Sequence, residues 1–141
     1  MNKRWCVLLI LLIARGVSAC NVNGGSLVFG QIDPIANIVT YGSTQLSVTC
    51  PEETSYSIHL SSGQGNYAAR QMSNGGSQMH YNIYDGPSYS QVWGDGNGGT
   101  VSVAGSAGPG GSQHTLYGRV PAQPKLPVGQ YTDNIVITVS Y

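Results

Sequence analysis

Three histidines, three cysteines, six carboxylates and a run of spaced glycines are the residues that could do chemistry in this 141-residue chain. His59, His80 and His114 lack the i,i+4 spacing or H-E-x-x-H arrangement that places two imidazoles on one metal. No zinc site is therefore expected, and His59 and His80 fall on the polar phase of alternating runs. Gly94-Asp95-Gly96-Asn97-Gly98-Gly99 matches G-x-G-x-x-G in letters. A dinucleotide site needs a helix opening directly after that motif, whereas Thr100-Val101-Ser102-Val103 reads as strand. One carboxylate, Asp95, falls far short of a calcium loop. The only adjacent acids, Glu52 and Glu53, follow Pro51 and read as a turn. No G-x-S-x-G elbow presents a serine nucleophile. The expectation is no catalytic residue, no metal ligand and no cofactor. Tyrosine is the one abundant functional side chain, with nine copies. It suits sheet surfaces and brings its own polar tip.

The elements that must position these residues begin after a leader. Lys3 and Arg4 precede an apolar run from Val7 to Ile13, and Val17-Ser18-Ala19 offers small residues for cleavage. This is a secretory signal pattern, too short to span a membrane. Residues 1–19 are read as the signal peptide and 20–141 as one mature domain. Cys6 leaves with the leader, and Cys20 and Cys50 remain. In an oxidising compartment two cysteines most simply form one disulfide. The alternative is a lipobox, Val17-Ser18-Ala19-Cys20, in which Cys20 carries lipid and Cys50 stays a thiol.

Charged residues are 9 % of the chain, far below the roughly 25 % of an average domain. Three bases and six acids lie beyond residue 19, giving the mature part a net charge of −3. That excludes a basic nucleic-acid-binding field and a charge-rich disordered tail. Period-two alternation is the dominant pattern, and it marks half-buried strands. It appears in Gln45–Cys50, Tyr56–Ser61, Met79–Tyr84 and Thr115–Val120. It is clearest at the end, where Ile135, Ile137, Val139 and Tyr141 share a face. Leu27–Phe29 reads as a short first strand. Six or seven strands predict an all-β sandwich. Between them, Gly94–Gly111 holds eight glycines in 18 residues. The entropy cost of ordering glycine predicts an exposed, mobile connection there, with only Thr100–Val103 strand-like.

These pieces have a familiar order. Cys20-x-Val22, Leu27-Val28-Phe29-Gly30, Asp33-Pro34 and Leu46-Ser47-Val48-Thr49-Cys50 come first. Tyr56 to Gly63, Arg70-Gln71-Met72, Met79 to Tyr84 and Val92-Trp93-Gly94-Asp95 follow. Tyr117-Gly118-Arg119-Val120 and Gly129-Gln130-Tyr131-Thr132-Asp133 then lead into the last alternating run. Over essentially all of Cys20 to Tyr141 the chain resembles the spore coat protein U domain family, which includes subunits of archaic chaperone–usher pili.

The resemblance implies an incomplete immunoglobulin-like, pilin-like β-sandwich missing its last strand. It implies a disulfide at the positions of Cys20 and Cys50. It also implies a groove along Ile135, Ile137, Val139 and Tyr141 that a periplasmic chaperone first fills with a strand. Another subunit then replaces that strand, with an outer-membrane usher directing assembly into a surface fimbrium or coat. Subunits of the family that polymerise carry a donor strand ahead of the first cysteine. With Cys20 as first mature residue, the expectation is a chain that accepts a strand and gives none: a tip, a terminator or an accessory coat protein. The alternative function is an adhesin or carbohydrate-binding module. It would touch its ligand through the Ser90–Gly99 loop with Tyr89 or Trp93.

Overall fold

A computed structural model describes residues 19–33 and 35–141. The signal peptide expected over residues 1–19 therefore lies outside the described residues, except for Ala19. Eight strands carry the fold: β1 Asn21–Gly24, β2 Thr40–Thr49, β3 Thr54–Leu60, β4 Arg70–Asn74, β5 Ser77–Tyr84, β6 Val103–Ala107, β7 Ser112–Val120 and β8 Ile137–Ser140. The described residues contain no helix. One sheet has the order β1-β2-β7-β5-β4 and the other β6-β3-β8, with every neighbouring pair antiparallel. The architecture is an all-β sandwich of two sheets.

Alternation sets which side chains meet between the layers. In β2 and β7, Leu46, Val48, Leu116 and Val120 point inward. From β3, Tyr56, Ile58 and Leu60 meet them, and β5 adds Met79, Tyr81 and Ile83. Fully burying side chains of the Ile58 or Leu60 size is worth roughly 1.5–3 kcal/mol each. β5 divides its pairing, with Arg70–Asn74 along Ser77–Tyr81 and Tyr117–Arg119 along Asn82–Tyr84. The five-stranded sheet curls where the pairing changes.

The structure corrects several expectations. Leu27–Phe29 is not a strand, and the first strand is the earlier Asn21–Gly24. Phe29 instead serves as a plug. Gly42 and Gly118 sit opposite each other in the β2–β7 register, leaving the inner face bare there. The Phe29 ring fills that space: a Cβ on Gly118 would come within 2.7 Å of it, and a Cβ on Gly42 within 3.2 Å. Phe29 also meets Tyr81 edge to face, with centroids 6.0 Å apart.

The glycine-rich stretch is not a loose connection. It contains β6, paired with β3 from Thr54↔Ala107 to Ile58↔Val103, and both Thr100 and Ala107 are buried. Gly105 lies in that strand because a Cβ there would press on the His114 ring and the Tyr56 hydroxyl at 2.9–3.1 Å. Arg70–Asn74 carries no alternating apolar run in the sequence, yet it pairs fully with β5. At the C-terminal run only Ile137–Ser140 is strand, because Val136 is held by Ser61 rather than by a ladder.

Candidate functional site

β3 occupies the middle of the three-stranded sheet, with β6 on one side and β8 on the other. Ile58 faces Val139 and Leu60 faces Ile137 across the β3–β8 ladder. Partners in an antiparallel ladder share a face, so Ile137 and Val139 point into the core. Their burial is unequal. Ile58 and Leu60 are 0 % and 1 % exposed, while Ile137 and Val139 are only half-buried. The second edge of β8 has no ladder partner among the described residues. The result is a strand whose backbone groups and apolar side chains are both left partly open on one side. Such an edge is a template for another strand.

The four residues expected to line this groove take different places. Ile137 and Val139 lie in β8. Ile135 precedes it and packs half-buried against the core. Tyr141 follows it, 51 % exposed, with its hydroxyl accepting a hydrogen bond from the Cys20 N–H at 3.2 Å. Cys20 and Cys50 form a disulfide that joins the start of β1 to the end of β2. With Cys20 so engaged and buried, no free sulfur is left there for lipid.

A polar latch sets the approach to β8. Ser73 and Thr132 exchange two backbone hydrogen bonds, at 2.9 and 3.1 Å. The Asp133 carboxylate accepts from the Tyr81 hydroxyl at 2.6 Å, and from the backbone N–H groups of Gln64 at 3.1 Å and Asn134 at 2.8 Å. Burial, and then this bond to Asp133, push the Tyr81 phenol well above its ordinary value, so it stays a donor. Ser61 completes the latch. Its N–H donates to the Val136 carbonyl at 3.0 Å, and its Oγ accepts from the Val136 N–H at 2.9 Å.

Behind Ser61 lies a charged residue that sequence reasoning placed nowhere. Arg70 is 0 % exposed. Its Nε and Nη2 donate to the Ser61 carbonyl at 3.1 and 2.7 Å. Nη2 also donates to the Trp93 carbonyl at 2.8 Å, and Nη1 to Asn82 Oδ1 at 2.7 Å. The Tyr67 ring lies 5.4 Å from the guanidinium carbon. Burial lowers the Arg70 pKa from its ordinary value. A cation satisfied by neutral oxygens is tolerated inside because its donors are used in a fixed fork. The acceptors come from the end of β3, from β5 and from the loop at Trp93, so sequence spacing carries no signal for the group.

Trp93 does not belong to an exposed ligand loop. It is 1 % exposed, and its indole N–H donates to the Ile58 carbonyl at 3.0 Å. Its backbone N–H donates to Ile83, and the next carbonyl, Gly94, accepts from Leu60. The loop therefore ties β3 to β5, and burial of the large indole accounts for its place in the core. Tyr89, the other residue of that expectation, is outside. It holds a left-handed φ of 54°, a conformation costing a side-chain-bearing residue roughly 1–2 kcal/mol. Its ring centroid lies 4.9 Å from Tyr41, 5.5 Å from Tyr84 and 6.3 Å from Tyr117.

The remaining candidates stay apart. His59 bonds Ser57, His114 bonds Tyr56 at 2.9 Å, and His80 is exposed. Among the described residues no three metal-ligating side chains gather. The Gly94–Gly99 run closes on itself: Asp95 accepts from the Asn97 N–H, and Thr100 Oγ1 accepts from the Gly96 N–H. Hydrogen bonds to Asp95, that from the Asn97 N–H foremost and that from the Thr100 hydroxyl among them, hold its carboxyl below its ordinary value.

Residues 8–138 match the Spore Coat Protein U domain family. Protein U of Myxococcus xanthus is 30 % identical over 143 aligned positions, covering 87 % of this chain and 78 % of that protein. Among solved structures, one similar chain comes from the CsuC–CsuE chaperone–tip adhesion subunit pre-assembly complex of the archaic chaperone–usher Csu pili of Acinetobacter baumannii. It matches with a TM-score of 0.57 at 18 % identity, over 89 % of this chain and 40 % of that one. At that identity the likeness is one of fold.

Proposed function

The chain belongs to the Spore Coat Protein U domain family, and on that premise we propose that it is an exported, non-enzymatic subunit of a surface pilus or coat. Its sandwich is completed by a strand from another protein, laid along the free edge of β8. The observation that carries this reading is the drop in burial across the β3–β8 ladder. Ile58 and Leu60 are sealed, while Val139 and Ile137 beside them are half open. A donated strand would pair with the free backbone groups of β8. Its alternate apolar side chains would cover Ile135, Ile137 and Val139, which is recognition by strand addition. The solved complex of similar fold pairs a pilus subunit with its chaperone. By analogy, the donors for this chain are a periplasmic chaperone during transit and a neighbouring subunit after an outer-membrane usher.

The test compares the oxidised full chain exported alone with the chain co-exported with a strand-donating chaperone. Amide exchange is read at Ile137–Ser140. Alone, these amides exchange fast and the chain self-associates; in the complex they are protected and the chain is soluble. A chain that is monomeric alone, with slow exchange along β8 and no gain from the chaperone, would overturn the reading.

A further inference from the structure

We propose that the outer face of the five-stranded sheet is a binding site for acidic polysaccharide, built from Tyr41, Tyr84, Tyr89, Tyr117 and Arg119. It is independent of strand acceptance, because it lies on the side of the other sheet that faces away from β8. The register assembles it from three strands. Tyr84 of β5 stands opposite Tyr117 of β7, and Tyr41 of β2 stands opposite Arg119 of β7. Positions 117 and 119 share a face, while Gly118 between them faces the Phe29 plug in the core. The four side chains are thus two adjacent rows on the solvent side. Tyr89 arrives from the loop after β5, and its strained backbone sets its ring against the other three tyrosines.

The hydroxyls distinguish this group from the chain's other tyrosines. Tyr56, Tyr67, Tyr81, Tyr131 and Tyr141 each make a hydrogen bond through the phenol to a protein group. Tyr41, Tyr84, Tyr89 and Tyr117 make none among the described residues. Their rings pack together, Tyr41 is 54 % exposed, and none of the four hydroxyls is a buried unpaired atom. Arg119 adds a cation whose Nε is shielded from solvent and has no hydrogen-bond partner among the described residues. β2, β5 and β7 carry no carboxylate and no other Lys or Arg. Aromatic faces suit the C–H faces of pyranose rings, free phenols suit sugar hydroxyls, and a guanidinium suits a uronate carboxylate. Charge complementarity therefore selects an acidic glycan over a neutral one.

Calorimetric titration of the full oxidised chain with an alginate oligosaccharide, against a cello-oligosaccharide of equal length, tests this. The alginate is expected to bind at least tenfold more tightly. Arg119→Gln should remove that preference, and Tyr117→Ala should weaken binding tenfold or more. Tyr89→Gly is the decisive variant, since glycine accepts the positive φ while removing the ring. It should lose tenfold or more in affinity with a melting temperature equal to or above the parent's. No binding of alginate, equal affinity for the neutral sugar, or full affinity in Tyr89→Gly would each overturn the proposal. So would a sedimenting dimer that Tyr89→Gly abolishes in the absence of sugar binding, which would assign the face to a second copy.

Discussion

The Ser61 carbonyl receives two donors of the fully buried Arg70, Nε at 3.1 Å and Nη2 at 2.7 Å. The same serine grips Val136 through both its N–H and its Oγ. A cation in the core is thereby connected, through one residue, to the segment that enters β8. Removing Arg70 strands two acceptors, the carbonyls of Ser61 and Trp93, and leaves Asn82 Oδ1 with the Ile83 N–H alone. Arg70→Met is expected to cost on the order of 3–5 kcal/mol, since each buried acceptor left alone costs about 1–3. Arg70→Lys should recover only part, because one ammonium cannot reproduce the fork. Urea unfolding of the oxidised chain measures both, and amide exchange at Val136–Ser140 should accelerate in the same order.

The Phe29 plug predicts a steric penalty at a position that looks innocuous in sequence. A Cβ on Gly118 would sit 2.7–2.8 Å from Phe29 and Leu27 side-chain atoms. Gly118→Ala is expected to destabilise by about 1–3 kcal/mol through overpacking. Combining it with Phe29→Leu should return part of the loss. Additive losses in a double-mutant cycle would contradict the contact.

Reduction of the Cys20–Cys50 bond opens a loop with a sequence separation of 30. Chain entropy puts the loss at about 3–4 kcal/mol. Equilibrium unfolding with and without reductant measures it. Intact mass of the secreted chain should rise by two hydrogens on reduction and show no acyl group.

His114 predicts how stability follows pH. Burial lowers its pKa below the ordinary value, since the imidazolium is poorly solvated between the sheets. As pH falls through about 6.5, an unfolded His114 takes up its proton before the folded one does. Its contribution is therefore complete above that pH and is lost progressively below it. His114→Gln should flatten this part of the stability–pH curve. An unchanged curve in that variant would count against the assignment.

The strands with a clean period of two were legible because one face of each is sealed by the other sheet. β3, β5 and β7 all show this. β6 was hidden because its packing demands Gly105, and a strand containing glycine in a glycine-rich stretch shows no alternation. Trp93 lies where the sequence predicts an exposed loop, and its burial comes from that loop being stitched to β3 and β5, which no local pattern records. Arg70 and the outer tyrosines were illegible on different grounds. The acceptors of Arg70 come from the end of β3, from β5 and from the loop at Trp93, and the tyrosines come from β2, β5, β7 and the loop after β5, so only the folded chain brings either group together. The half-open face of β8 was partly visible, since the alternation of Ile135, Ile137 and Val139 is strong, but only the β3 register shows how unevenly it is covered.

The hydrogen bond from the Cys20 N–H to the Tyr141 hydroxyl sets how the domain would respond to tension. A pull between residues 20 and 141 meets first this single 3.2 Å hydrogen bond. Extension beyond it would strip β8 from β3. The disulfide then withholds the chain from Cys20 to Cys50, roughly 100 Å of contour at about 3.3–3.6 Å per residue. The domain is thus compliant at the C-terminal strand and inextensible through β1 and β2, the asymmetry of a shock absorber fitted with a stop.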